Sequence, residues 1–146
     1  MNSIFYIPAS AVEKLTEPSL IVSIKGRYNE RPEIDEKHTV LKLTFDTQEM
    51  PNADYHFKPE MVDEVLAFVK ANPGRDIYFH CTEGACRSYT LARCLGRWAH
   101  RADVDLDLDT CEFTNHANWL DRKTCNVWNN RVDELKMNEL RESGKK

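Results

Sequence analysis

The sequence predicts an α/β fold with a central, mainly parallel sheet of about four strands flanked by helices. Three observations predict it. Short runs of β-branched and aromatic residues recur along the chain, helical patterns fall between them, and 146 residues suit one domain with one core. The whole chain, residues 1–146, is therefore read as a single domain.

A weaker apolar run at 4–7 reads as the first strand. Ser10 and Glu13 have the spacing of a capping box and predict a short helix after it. Residues 20–24 (LIVSI), 40–45 (VLKLTF) and 77–80 (IYFH) read as buried strands. The polar stretch 26–37, which carries a proline, reads as a loop. Pro59 suits a first helical position, and Met61, Val65, Phe68 and Val69 follow at helical spacing until Asn72-Pro73-Gly74 stops them. Beyond Arg87, the residues Leu91, Cys94, Leu95 and Trp98 form one apolar stripe. The acidic stretch 103–109 (DVDLDLD) reads as an exposed connection. It lacks the glycine and terminal glutamate of a calcium loop. A last helix is predicted within about 112–142, with Leu120, Trp128, Val132 and Leu135 on one face and Trp119 and Trp128 in the core.

Composition narrows the function classes. Apolar residues make up 41% and charged residues 30%, which is a globular rather than a disordered balance. The net charge of −4 supplies no global field for nucleic acid or an anionic membrane, so neither is expected as a partner and any anion site must be local. No run approaches the roughly 20 apolar residues of a bilayer span. The first residues do not read as a signal peptide, and the cysteine count is an odd five. Together these predict reduced thiols in a cytoplasmic setting.

The informative stretch is HCTEGACRS, residues 80–88. Ligands of open α/β sheets bind beyond the carboxyl ends of strands. Cys81 ends a predicted strand, and the next helix begins near Arg87. A tight loop between them, containing Gly84, aims backbone N–H groups and a helix dipole at one point. Such a nest of Thr82, Glu83, Gly84, Ala85 and Cys86 holds a tetrahedral oxyanion and stabilises a thiolate at Cys81. Arg87 adds a planar fork for two phosphate oxygens, and Ser88 can hydrogen-bond the sulfur. The Cys-x5-Arg spacing alone is weak, because Cys125 and Arg131 repeat it. That copy has no glycine, no preceding strand and no hydroxyl after the arginine, and it lies in a helical pattern.

His80-Cys81 through Arg87-Ser88 resembles the His-Cys-x5-Arg-Ser/Thr signature of cysteine-dependent protein tyrosine phosphatases. The central glycine looks like the dual-specificity branch and its compact phage and bacterial relatives. The resemblance covers about residues 20–100. It implies a phosphomonoester hydrolase that works through a phosphocysteine, with no metal or other cofactor and a phosphorylated protein or peptide as substrate. It also implies a general acid on a loop after an upstream strand. Asp46, 35 residues before Cys81, fits that place, with Asp54 in reserve. His80 is expected to hold the loop rather than move protons. Cys86 reads as a packing residue or as a redox guard, since low-molecular-weight tyrosine phosphatases place a second cysteine at this loop position. Glu83, and the absence of lysine in the loop, speak against an inositol-lipid substrate. The same branch includes RNA 5′-phosphatases, which the acidic charge disfavours. The rival readings are a phosphate-recognising binding module without turnover, or another thiolate enzyme such as an arsenate reductase or sulfurtransferase. Cys111, His116 and Cys125 lack the paired spacing of a zinc site.

Overall fold

A computed structural model describes residues 2–47 and 55–144. Five strands make one sheet: β1 (Asn2–Pro8), β2 (Leu20–Lys25), β3 (Thr39–Thr44), β4 (Ile77–Cys81) and β5 (Leu106–Leu108). Their order across the sheet is β3-β2-β4-β1-β5, and every neighbouring pair is parallel. Three helices accompany them: α1 (Pro59–Ala71), α2 (Arg87–Arg101) and α3 (Arg122–Gly144). The predicted fold class holds, with the sheet larger by one strand and wholly parallel.

Alternation along β2 sets the two layers. Leu20, Val22 and Ile24 face the helices and join Val62, Val65, Leu91, Leu95 and Trp128 in the main core. Ile21 faces the other way, into a smaller cluster with Ile7, Ala11, Val12 and Leu15. A strand buried on both faces needs apolar residues at nearly every position, which is why LIVSI reads as a continuous run. Its one polar member, Ser23, is fully buried and hydrogen-bonded.

Four expectations are corrected. The acidic stretch at 103–109 contains β5, an edge strand that pairs with β1 through Asn2–Leu106, Ser3–Asp107 and Ile4–Leu108. Leu106 and Leu108 pack on the main core while Asp107 stays exposed, so the charge blunts an edge instead of marking a loop. Ala9–Lys14 is a 3₁₀ helix whose cap position is Pro8, with no side-chain cap from Ser10. The last helix starts at Arg122, where Asp121 accepts a hydrogen bond from the Thr124 amide (3.3 Å). Leu120 and Trp119 precede it, and Trp119 is 46% exposed, whereas Trp128 is buried as expected. Among the described residues no helix is long and apolar enough to cross a membrane.

Register brings one rim together. Lys25 lies opposite Thr44, Ser23 opposite His80, and Pro8 opposite Cys81. The residues that leave the carboxyl ends of β1, β2, β3 and β4 are therefore neighbours.

Candidate functional site

Cys81 is the last residue of β4 and Arg87 the first of α2. The loop between them turns through Gly84 at φ +70°. A Cβ there would lie 2.5 Å from both the Ile7 carbonyl carbon and the Pro8 nitrogen. Conformation and contact both demand glycine, and the loop rests on the end of β1.

The loop carbonyls are held from outside. Thr82 O accepts from the Ala9 amide (3.2 Å), Glu83 O from Asn115 Nδ2 (3.2 Å), and Ala85 O from the Trp119 amide (2.9 Å). A trans peptide points its N–H opposite to its C=O. Fixing those three carbonyls outward therefore turns the amides of Glu83, Gly84 and Cys86 away from these partners, and the Cys86 amide reaches the Cys81 sulfur. Residues 115–121 act as a clasp on the loop. The Asp121 amide extends the clasp by donating to Thr90 Oγ1 (3.0 Å) on α2.

Cys81 is 3% exposed, and its Sγ lies 3.2 Å from Ser88 Oγ. Burial opposes ionisation of the thiol. Hydrogen bonds from the Ser88 hydroxyl and amide, the charge of Arg87 and the Cys86 amide outweigh it and bring the pKa below its ordinary value. Cys86 shows the reverse. Its thiol is buried, and burial, Asp121 and Cys81 push its pKa up to about 12. Two cysteines in one loop thus differ because the donors outweigh burial at Cys81, whereas at Cys86 burial outweighs the Thr90 hydrogen bond and the Arg87 charge.

The Arg87 guanidinium is held by neutral acceptors. Nη1 donates to Phe45 O (3.2 Å), and Nη2 to Asn29 Oδ1 (3.2 Å) and Thr82 Oγ1 (3.3 Å). Among the described residues no carboxylate is hydrogen-bonded to it. Asp46 follows β3 and is 8% exposed. Its Oδ1 accepts from the Arg27 amide (3.1 Å), while the buried Oδ2 has no hydrogen-bond partner among the described residues. The Gly26 position shows how close these groups stand. A Cβ there would collide with Asp46 Oδ1 and sit 2.7 Å from Asn29 Oδ1 and 2.8 Å from Arg87 Nη1. The structure thus brings together Cys81, Arg87, Ser88 and Asp46, with the loop Thr82, Glu83, Gly84, Ala85 and Cys86. Asp54 lies outside the described residues.

His80 takes a supporting place. Its Nε2 is 2.6 Å from Ser23 Oγ, and Arg31 Nε donates to the same oxygen (2.9 Å). The Ser23 proton is then free to go to Nε2, which leaves an uncharged ring. Burial agrees, lowering the His80 pKa to about 4. Arg31 also donates to Ser23 O and Leu43 O, tying the 26–38 loop to β2 and β3.

Sequence reasoning missed Gly26, Arg27, Asn29 and the clasp residues Asn115, Trp119 and Asp121. The signal for Asn29 was Gly26-x-x-Asn29 directly after a strand, a turn in which Asn29 Oδ1 accepts from the Gly26 amide (3.2 Å). The three cysteine and histidine positions weighed for zinc do not converge. Cys111 contacts Thr114, and Cys125 contacts Cys94. Among the described residues no group of three or more His, Cys, Asp or Glu could hold a metal ion. A groove of about 1010 Å³ lies at the amino ends of the strands, between α1, α2 and α3, on the rim opposite Cys81. Comparison with known proteins finds no matching family model, no similar curated protein and no similar solved structure.

Proposed function

We propose that the chain is a metal-independent phosphomonoester hydrolase of the cysteine-dependent, dual-specificity type, acting on phosphotyrosine in proteins or peptides in the cytoplasm. The observation that carries this reading is the convergence on Cys81. A buried sulfur with a lowered pKa meets the amides of Cys86 and Ser88, an arginine fork on neutral acceptors, and a carboxyl oxygen with no other partner among the described residues.

The chemistry follows from the positions. Cys81 Sγ attacks phosphorus, and the bond from phosphorus to the ester oxygen breaks. Arg87 and the loop amides bear the charge on the equatorial oxygens. Asp46 Oδ2 gives its proton to the departing oxygen. Water then attacks the phosphocysteine, Asp46 takes back a proton, and the sulfur leaves as a thiolate that Ser88 hydrogen-bonds.

The test is hydrolysis of p-nitrophenyl phosphate and of a phosphotyrosine peptide in the presence of EDTA. Turnover is expected to survive the chelator and to vanish in Cys81→Ser. Binding of inorganic phosphate without any turnover by the wild-type chain would replace this reading with a phosphate-recognising module.

A further inference from the structure

Away from the Cys81 loop, α2 and α3 meet at a pair of thiols. Cys94 Sγ and Cys125 Sγ lie 3.4 Å apart, across a sequence separation of 31 residues. A disulfide needs about 2.05 Å, so closing the gap requires the sulfurs to approach by only about 1.4 Å. Cys94 is 4% exposed, and Cys125 is half-buried. Arg93 and Arg97 stand near both and favour a thiolate. Cys125 gains further from its neighbour, since a hydrogen bond from Cys94 lowers its pKa while the same contact and burial raise that of Cys94.

We propose that Cys94 and Cys125 form an oxidant-reactive dithiol, separate from Cys81, which a peroxide converts into a disulfide tying α2 to α3. The thiolate of Cys125 attacks one oxygen of hydrogen peroxide. An S–O bond forms, the O–O bond breaks, and the leaving hydroxide is protonated to water. The Cys94 sulfur then attacks the Cys125 sulfenic acid. The S–S bond forms as the S–O bond breaks, and the departing oxygen leaves as a second water carrying the Cys94 proton. Two thiols have lost two electrons, and one peroxide has become two waters.

The tie falls where it matters for the rim. Cys125 lies four residues beyond Asp121, whose amide donates to Thr90 Oγ1, and Trp119 just before it holds Ala85 O. In the oxidised chain the clasp is covalently anchored beside the loop it holds. This depends on the packing of α2 against α3 and not on what Cys81 does.

Trypsin separates the thiols, because Cys94 falls in peptide 94–97, Cys125 in 124–131, and Cys81 and Cys86 together in 76–87. The full chain is treated with hydrogen peroxide, alkylated with N-ethylmaleimide, digested and mapped by mass. The expected product joins peptides 94–97 and 124–131, forms equally in Cys81→Ser, and disappears in Cys125→Ser. Oxidation should raise the thermal midpoint of Cys81→Ser by roughly 5–10 °C, reversed by dithiothreitol. Two results overturn the proposal: Cys94 and Cys125 both remaining alkylatable while oxidation is confined to peptide 76–87, or Cys125 passing to the sulfinic acid without a cross-link. A cross-link that forms only when Cys81 is present would overturn it as well.

Discussion

The chain carries the Cys-x5-Arg spacing twice, and the two copies end with unrelated partners. In the first, Cys81 closes a strand, Arg87 opens a helix, and the loop between them curls so that the guanidinium and the amides attend one sulfur. In the second, Cys125 and Arg131 both lie on α3. Six residues along a helix turn through about 240° and rise about 9 Å, so the two side chains leave on different faces. Cys125 goes to Cys94, and Arg131 forms a two-pronged pair with Asp63 (2.9 and 2.8 Å) and contacts Glu134 (2.7 Å). The arginines differ just as much. Arg131 is paired with carboxylates, whereas among the described residues the hydrogen-bond partners of Arg87 are neutral. Spacing selects neither fate; the element on which the spacing falls does.

Variants can break this comparison, beginning with the largest effect. Asp46→Asn keeps an acceptor for the Arg27 amide but has no proton to give, and aryl phosphate turnover should fall by about 10²–10⁴. An undiminished rate would remove Asp46 from the chemistry. Arg87→Ala should cost about 10²–10³ in turnover, as loss of a preorganised donor does. Arg131→Ala should leave turnover unchanged, and equal losses in the two arginine variants would erase the distinction drawn here.

The next effect is one of stability against pH. His80 is held neutral in the fold with a pKa of about 4, below its unfolded value of about 6.5. The unfolded chain therefore binds the extra proton first, and stability falls as pH drops from about 6.5 to 4, by roughly 3 kcal/mol in all. Urea melts across that window should show the slope in wild type and a shallower one in His80→Asn. The smallest pair compares two glycines of positive φ. Gly84→Ala meets the backbone of Ile7 and Pro8, while Gly74→Ala, at φ +72°, meets nothing within 4 Å. The second should cost about 1 kcal/mol, and the first clearly more, through backbone strain plus the collision. Equal urea midpoints would mean that the loop does not rest on β1.

Much of the architecture was legible because buried strands and amphipathic helices carry opposite periodicities. The continuous apolar runs of β2 and β4 and the stripe through Leu91 and Leu95 belong to the core as read. Other features escaped for identifiable reasons. β5 has three residues and two leucines, and the acid that protects its edge masks its pairing. Ser10 and Glu13 have capping spacing, but Pro8 fixes the entry and the short 3₁₀ turn uses neither as a cap. Asn115 and Asn118 occupy a stretch whose pattern continued that of α3. Their side chains also bond local backbone, as when Asn115 Oδ1 accepts from the Ala117 amide (2.9 Å), and such competition ends helices. At the site, the strand, Cys81, Gly84 and Arg87 were readable as a local string. Asn29 and the clasp were not, because they meet the loop from 58 and 32 residues away.

The support of Gly84 by the end of β1 bears on how the chain matures during synthesis. β1 emerges from the ribosome first, yet it sits between β4 and β5, which emerge much later. The loop carbonyls wait longer still, for Asn115 and Trp119. A nascent chain that already contains His80 through Ser88 therefore has the β1 floor of its loop but lacks the outer braces. Those braces reach the loop only once translation has passed residue 119, so the fully held loop is one of the later contacts to form among the described residues.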